Sequence, residues 1–244
     1  MKLVHMAAIA TGLIIFIGVA LVAPAFFRSF GHSDPKTPVL LAFNVLDSGD
    51  ARATSSWCAD LSALLDERQI KAAVFLSGKT AVAAPECVSS FSSGIDIGSQ
   101  TYNYLDIVAL DYTKALDEVE KGKQAIDRAG NLDSALFRAP HGSADGNIYS
   151  LLNRSGILAD FTYGDHYNRY ENGLYVRHEI KSLSGFLVAP GDLDESPVPV
   201  MINFDSAVEV GQIAEYVDSL GASVRFVNAS ELAGMDLARR GERS

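Results

Sequence analysis

The chain has 244 residues, of which 48% are hydrophobic and 20% are charged, and its formal net charge is −10. This acidic balance argues against nucleic-acid binding and against a basic patch for a membrane surface. The length supports one sizeable hydrophobic core and does not clearly support two.

The N-terminal segment is strongly apolar. Residues 3–27 form a nearly continuous apolar run, and about 20 such residues span a bilayer. We therefore assign residues 1–29 to a membrane anchor, with a cleaved signal peptide as the alternative because the sequence APA at 23–25 resembles a cleavage site. The flanking charges do not determine the orientation. Residues 30–37 are polar and contain a proline, as is typical of a linker.

Predicted strands and helices alternate along residues 38–232. The predicted strands are 39–45, 71–78, 95–99, 134–140, 157–162, 197–205 and 223–227. The predicted helices are 55–68, 80–93, 111–130, 145–155 and 206–219. This alternation indicates parallel strands with crossover helices, in either a barrel or an open doubly wound sheet. Residues 233–244 are predicted to be a polar C-terminal tail.

Two cysteines, Cys58 and Cys87, fall on the first and second predicted helices. An even number of cysteines in a domain expected to be exported predicts a disulfide bond between them. Two adjacent outer helices could bring the two residues together. The alternative is a pair of buried thiols, because free cysteine packs well in protein cores.

Three short motifs occur in order: AFNVLD at 42–47, GSQTYNY at 98–104 and FRAPHG at 137–142. Their order and approximate spacing resemble the signature of the polysaccharide deacetylase family (NodB homology, carbohydrate esterase family 4). The resemblance implies an α/β fold, a deformed and incomplete (β/α) barrel, preceded here by the N-terminal transmembrane helix or signal sequence. It also implies hydrolysis of carbohydrate N-acetyl groups, which are C–N bonds other than peptide bonds.

The family's chemistry needs a divalent metal that activates a bound water, about three His or carboxylate ligands, a carboxylate base and a histidine acid. Its first motif reads roughly TFDDGP and its second GSHTxxH. In this chain the metal-ligand positions are Val45, Gln100 and Tyr104. Valine has no donor atom, and a phenol with a pKa of about 10 is a poor zinc ligand. The residues therefore predict no metal cofactor.

The base and acid positions are also substituted. Asn44 stands at the base position, and an amide cannot take a proton as a carboxylate does. In VMINFD at 200–205, Phe204 stands at the acid histidine and Asp205 is retained. Arg138 is kept from the family's RxPxG loop, in which the arginine orients the base. Its partner here is therefore expected to be Asn44 or, instead, a carboxylate elsewhere in the chain. These changes predict a catalytically silent or much weakened protein.

Tyrosines and polar side chains are expected around the mouth of the barrel. Aromatic faces beside amide and arginine donors are typical of a sugar-binding groove. The candidate binding residues for an N-acetylated glycan are Tyr102, Tyr104, Arg138, His141 and Tyr167. Tyr163 and Tyr170 lie in the same segments. The alternative is that these tyrosines only fill the rim of the barrel.

Two other functions stay open. The first is an active hydrolase with a rebuilt metal site, for which zinc would be the expected ion. Its candidate residues are Asp47, Asp106, His141, Asp165, His166 and Asp205. The second is a structural or interaction protein of the cell envelope. We expect a membrane-anchored, extracytoplasmic domain that retains glycan binding, or a secreted domain if the N-terminal segment is cleaved.

Overall fold

The computed structural model describes residues 36–143, 145–162, 168–171, 174–177 and 200–241. The strands are β1 Thr37–Val45, β2 Ala72–Leu76, β3 Ile95–Ser99, β4 Leu136–Phe137, β5 Ala159–Asp160, β6 Asn168–Glu171, β7 Leu174–Arg177, β8 Val200–Asp205 and β9 Val224–Phe226. The helices are α1 Ala51–Glu67, α2 Gly78–Ala83, α3 Glu86–Ser89, α4 Tyr112–Gly130, α5 Gly146–Arg154, α6 Val210–Leu220 and α7 Ala229–Gly241. Short 3₁₀ turns occupy Ile107–Ala109, Pro140–Gly142 and Gly221–Ser223.

The strands form one curled sheet in the order β6-β7-β5-β4-β3-β2-β1-β8, and β9 pairs with the beginning of β1. The β6–β7 pair is antiparallel, and the other described pairs are parallel. The described strands thus form a half-barrel, as the family resemblance implied. Because the carboxyl ends of parallel strands share one edge, the residues that follow β1, β3, β4, β5 and β8 gather there.

Side chains of β1 alternate between two apolar layers, as the two-residue period of a strand requires. Phe43 and Val45 belong to a layer that includes α1 residues such as Leu61 and α6 residues such as Ile213. Leu40 and Ala42 belong to a second layer that includes the α7 residues Ala229 and Leu232. We call these the α1/α6 layer and the α7 layer. Adjacent motif residues on β1 therefore face opposite sides of the sheet.

Three elements differ from the sequence prediction. The helix predicted over 80–93 is divided into α2 and α3 at Pro85, which lacks the backbone N–H that a continuous helix needs. The predicted tail 233–244 continues helix α7 as far as Gly241. The hairpin of β6 and β7 has no counterpart among the predicted strands.

Cys58 on α1 and Cys87 on α3 form a disulfide with Cα atoms 5.1 Å apart. The bond joins two helices that cover the same layer of the core. Residues 1–29, predicted as the anchor or signal peptide, lie outside the described residues. Within the described ranges, no helix combines the length and apolarity that a membrane crossing requires.

Candidate functional site

Asn44 and Gln100, at the base position and at one metal-ligand position of the resemblance, are hydrogen-bonded to each other. Gln100 Nε2 donates to Asn44 Oδ1 at 3.1 Å. Asn44 Nδ2 in turn donates to the backbone oxygen of Phe204 at 3.1 Å. Gln100 is only 2% exposed, whereas Asn44 is half-buried. The two side chains that would have supplied a base and a ligand instead link β1, β3 and β8.

Val45 and Phe204 face the α1/α6 layer and are 1% and 6% exposed. The ring of Phe204 stacks on Phe43 with centroids 5.5 Å apart. Because side chains alternate along β8, Asn203 and Asp205 face the opposite side of the sheet. The motif position assigned to the acid histidine therefore holds a core residue, and Asn203 lies on the side of the site.

Tyr104 and His141 meet in an edge-to-face contact with ring centroids 5.1 Å apart. His141 is exposed and Tyr104 is half-buried, so the pair presents aromatic surface to solvent. Both residues have left-handed backbone angles, φ 59° and 58° respectively, which are uncommon for residues other than glycine. Such conformations are concentrated at binding and catalytic sites. Two of the residues that the sequence analysis selected as candidate glycan contacts thus lie against each other.

The loop that carries Tyr104 is held by Glu118 of α4. The Glu118 carboxylate accepts hydrogen bonds from the backbone N–H of Tyr102 at 3.1 Å and from the backbone and side chain of Asn103 at 2.8 and 2.7 Å. Glu118 is 7% exposed. A buried carboxylate with three donors keeps its charge satisfied and restricts the loop. Sequence reasoning did not identify this residue, because its partners are two backbone N–H groups and one amide side chain that lie 15 and 16 residues earlier in the chain.

Tyr102 turns to a different surface from Tyr104. Its ring lies so close to Gly78 that a Cβ there would be 2.6 Å from Tyr102 Cδ2. The ring lines a groove of about 570 Å³ between α2 and α4, together with Lys121 and Arg128. One loop therefore presents two tyrosines to two surfaces, whereas the sequence prediction placed both at one mouth.

Arg138 is almost fully buried, with 1% of its surface exposed. Its Nη1 donates to Oδ1 of Asn203 on β8. Its Cζ lies 5.9 Å from the ring centre of Phe75, within the range of a cation–π contact. The described side-chain hydrogen bond of Arg138 thus goes to the amide of Asn203, and its positive charge also acts on the buried carboxyl group of Asp160.

Asp160, at the end of β5, is a fully buried carboxyl group that sequence reasoning did not select. Burial raises its pKa to about 6, and the hydrogen bonds from Thr162 and the positive charge of Arg138 oppose that rise. Asp160 Oδ1 accepts from the backbone N–H of Thr162 at 3.0 Å and from its hydroxyl. Asp160 Oδ2 has no hydrogen-bond partner among the described residues. The signal available in the sequence was an aspartate inside an otherwise apolar strand.

The candidates for a rebuilt metal site have local structural partners. Asp47 accepts from Gly49 N at 2.9 Å and pairs with Lys79 at 3.2 Å, and these contacts lower its pKa. Asp106 caps the 3₁₀ turn at Ile107–Ala109. Asp205 accepts from the backbone N–H of Ala207 at 3.0 Å. No group of three or more metal-binding side chains occurs among the described residues.

The remaining candidates of the sequence analysis lie outside what the structure describes. They are Tyr163, Asp165, His166 and Tyr167, and for Tyr170 only the strand position is described.

A family model described as polysaccharide deacetylase matches residues 32–159, more than half of the chain. The chain belongs to the polysaccharide deacetylase family. No protein with a curated description matches it in sequence.

Solved structures of the deacetylase fold are similar to this chain. One is a Mycobacterium smegmatis protein assigned as a polysaccharide deacetylase, with TM-score 0.67 and 18% identity over 85% of this chain and 93% of that chain. A mutant of peptidoglycan deacetylase PdaC from Bacillus subtilis has TM-score 0.61 and 13% identity over 86% and 96% of the two chains. At such identities the similarity establishes the fold alone.

A third similar structure is BA3943 from Bacillus anthracis, described as a pseudoenzyme of family CE4. Its TM-score is 0.59 and its identity 14%, over 82% of this chain and 66% of that chain. A mutant of BA3943 is described as having restored enzymatic activity, with TM-score 0.59 and 15% identity over 82% of this chain and 68% of that chain. The deacetylase fold therefore includes a relative that is described as lacking activity.

The divalent metal implied by the deacetylase family does not fit the residues at its expected position. Val45 has no donor atom, and its side chain faces the α1/α6 layer. The Oε1 of Gln100 is buried and has no hydrogen-bond partner among the described residues, but an amide oxygen is a poor ligand for zinc compared with imidazole or carboxylate. Tyr104 would have to ionise to bind a metal ion well. We therefore derive no chemical step through a metal.

Proposed function

We propose that this protein is a polysaccharide deacetylase homologue without conventional deacetylase activity, and that it binds N-acetylated glycan at the carboxyl ends of its strands. The observation that carries this proposal is the hydrogen bond between Gln100 and Asn44. Asn44 and Gln100 are both neutral amides, so the pair supplies no carboxylate base and neither of the ligand types, imidazole or carboxylate, that a catalytic metal ion prefers. The deacetylase mechanism needs both a base and metal ligands.

The Tyr104–His141 pair supports glycan binding. Pyranose rings stack on aromatic faces, and their hydroxyl and acetamide groups need directional hydrogen-bond partners. Tyr104 offers a half-buried ring, and the exposed His141 offers donor and acceptor nitrogens beside it. Because Glu118 restricts the loop before Tyr104, little conformational freedom would be lost on binding.

The ligand class is suggested by the family and by one of the similar structures. PdaC is named a peptidoglycan deacetylase, so we propose N-acetylated cell-wall glycan as the ligand here. The apolar run at residues 3–27 supports attachment to a membrane, with the described domain on the extracytoplasmic side, or secretion if the run is cleaved. This location would bring the domain to its ligand.

Two assays on the full chain test the proposal. The first measures acetate release from N-acetylglucosamine oligomers with and without added zinc, and we expect none above background. The second measures equilibrium binding of the same oligomers, and we expect a dissociation constant between micromolar and millimolar values. Replacement Tyr104→Ala should weaken that binding about tenfold, which corresponds to about 1.4 kcal/mol for the loss of the aromatic face.

Tyr112→Ala is the matched control for Tyr104→Ala, because Tyr112 is 48% exposed and lies at the start of α4. Its binding constant should equal that of the wild type. Zinc-dependent acetate release would overturn the proposal and favour a rebuilt hydrolase. Absence of oligomer binding in the wild type would remove the glycan-binding half and favour an envelope protein that binds other partners.

A further inference from the structure

A groove between α2 and α4 is lined by a tyrosine, aliphatic side chains and two cationic side chains. Its volume is about 570 Å³, and it lies beside Tyr102 rather than beside the Tyr104–His141 pair. The apolar part of its lining includes Val82 and Pro85, and Val82 is 64% exposed. A large exposed aliphatic side chain next to a tyrosine ring offers a surface that a ligand could cover.

The tyrosine wall of the groove is held rigidly. Two glycines let α2 and α4 approach the loop: a Cβ at Gly78 would lie 2.6 Å from Tyr102, and one at Gly122 would lie 2.6 Å from the backbone of Thr101. The backbone oxygen of Tyr102 accepts from Lys79 N at 2.9 Å, and its N–H donates to Glu118. A ring fixed in this way can receive a sugar ring without a further loss of flexibility.

The opposite wall is cationic. Lys121, Gln124 and Arg128 follow one another at spacings of three and four residues, so α4 presents them on one face. Lys121 is bound to Asp117 at 2.7 Å, which offsets its charge. Arg128 donates weakly to Gln124 Oε1 at 3.4 Å, and it forms no ion pair within the described part of the chain. No acidic side chain lines the groove among the described residues.

We propose that this groove binds a carboxylated saccharide. The ring of Tyr102 and the side chains of Val82 and Pro85 would cover the apolar face of a pyranose, and Gln124 would bond its hydroxyl groups. The guanidinium of Arg128 would pair with the carboxylate, for which its planar fork is well suited. An unpaired cation in a groove is informative here because the whole chain carries a net charge of −10. This site does not depend on glycan binding at the Tyr104–His141 mouth.

Calorimetric titration of the full chain with two monosaccharides tests the proposal. N-acetylmuramic acid and N-acetylglucosamine share the ring and the acetamide, and only the first carries a carboxylate. We expect the acid to bind about tenfold more tightly at low salt, as one charge-assisted hydrogen-bonded pair would give. Raising the salt concentration should reduce this difference, since Arg128 is exposed.

Variants locate the binding. Arg128→Gln should remove the tenfold preference while leaving the affinity for the neutral sugar within about twofold. Arg154→Gln on α5 is the matched control, because Arg154 is exposed and does not line the groove. Tyr104→Ala should leave the preference for the acid unchanged, which separates this site from the mouth.

Two outcomes would overturn the proposal. The first is equal affinity for the two sugars, or a preference that survives Arg128→Gln. The second is a tetraglutamate peptide that binds more tightly than N-acetylmuramic acid and loses its affinity in Arg128→Gln, since the groove would then bind acidic peptides.

Discussion

Gln100, which follows β3, donates to Asn44 near the end of β1 at 3.1 Å. By the family resemblance, the carboxyl ends of these strands would hold the metal and the base of a deacetylase. The two positions are therefore coupled, because the Oδ1 of half-buried Asn44 accepts from the Nε2 of buried Gln100. Asn44 also donates to the backbone of Phe204, so the pair extends to β8. Asn44 on β1 is thus hydrogen-bonded both to the residue that follows β3 and to β8.

Restoring the family's two adjacent acids should affect stability very unequally. Val45→Asp would place a carboxylate in the α1/α6 layer at a position that is 1% exposed, which we expect to cost more than about 3 kcal/mol of the free energy of unfolding. Asn44→Asp keeps an acceptor for Gln100 and loses one donated bond, at a cost of about 1–2 kcal/mol. Urea denaturation of the two variants measures the difference.

Similar unfolding midpoints for these two variants would contradict the side-chain directions seen on β1. Side chains alternate on β8 as well. Phe204→His would therefore not supply an acid, because the side chain at position 204 stacks on Phe43, on the side of the sheet opposite to Asn203. The polar imidazole would replace an apolar phenyl ring in the core.

Removing the charge of Glu118 should loosen the loop that carries Tyr102 and Tyr104. We expect Glu118→Gln to lower the free energy of unfolding by about 2 kcal/mol, because hydrogen bonds to a charged acceptor are lost in a buried site. Hydrogen exchange at the amide of Asn103 should accelerate by more than about tenfold. Glu120→Gln on the same helix is the control, and identical exchange rates in both variants would refute the role of Glu118.

The pH dependence of stability should reveal Asp160. Burial raises its pKa to about 6 from 3.8, so between these values the folded chain holds a proton that the unfolded chain has released. Its contribution to stability is complete below about pH 4 and is lost as the pH rises through about 6. Relative to Asp160→Asn, the wild type should therefore lose up to about 3 kcal/mol between pH 4 and pH 7.

Chemical denaturation of both proteins at several pH values measures this loss. The other carboxyl groups titrate alike in the two proteins and cancel in the comparison. Parallel stability curves for the wild type and Asp160→Asn would show that Asp160 titrates at its ordinary pKa.

Reduction of the disulfide should destabilise the domain. Cys58 and Cys87 are separated by 29 residues, and closing a loop of that length is worth about 3–4 kcal/mol in the chain-entropy account. Denaturation with and without dithiothreitol measures this value. The double replacement of both cysteines by alanine should reproduce the reduced protein, and an unchanged midpoint on reduction would contradict the prediction.

Motifs and periodicity in the sequence predicted the main features of the fold. The alternation of strand and helix indicated parallel pairing, and the motif order indicated which strand ends meet. Helix 111–130 was predicted almost residue for residue, because its apolar period is long and regular. The division at Pro85 and the helix after 229 were not predicted. The first follows from the missing N–H of Pro85, and the second involves a segment whose apolar period is weak.

The site was only partly predictable, because its contacts join residues far apart in the chain. Arg138 bonds to Asn203, 65 residues away, and Asn44 bonds to the backbone of β8, 160 residues away. No local pattern records which of two neighbouring residues on a strand faces a distant partner. For the same reason Glu118 and Asp160 were missed, although both are buried acids.

By itself, the sequence determined the family, the parallel α/β architecture and the loss of the metal, base and acid residue types, because these follow from which side chains exist and in what order. Only the tertiary structure decided that Gln100 bonds to Asn44, that Phe204 belongs to the core, and that Tyr102 and Tyr104 serve different surfaces. Those outcomes depend on strand register and on the close approach of α4 to the loop, which bring together residues from separate parts of the chain.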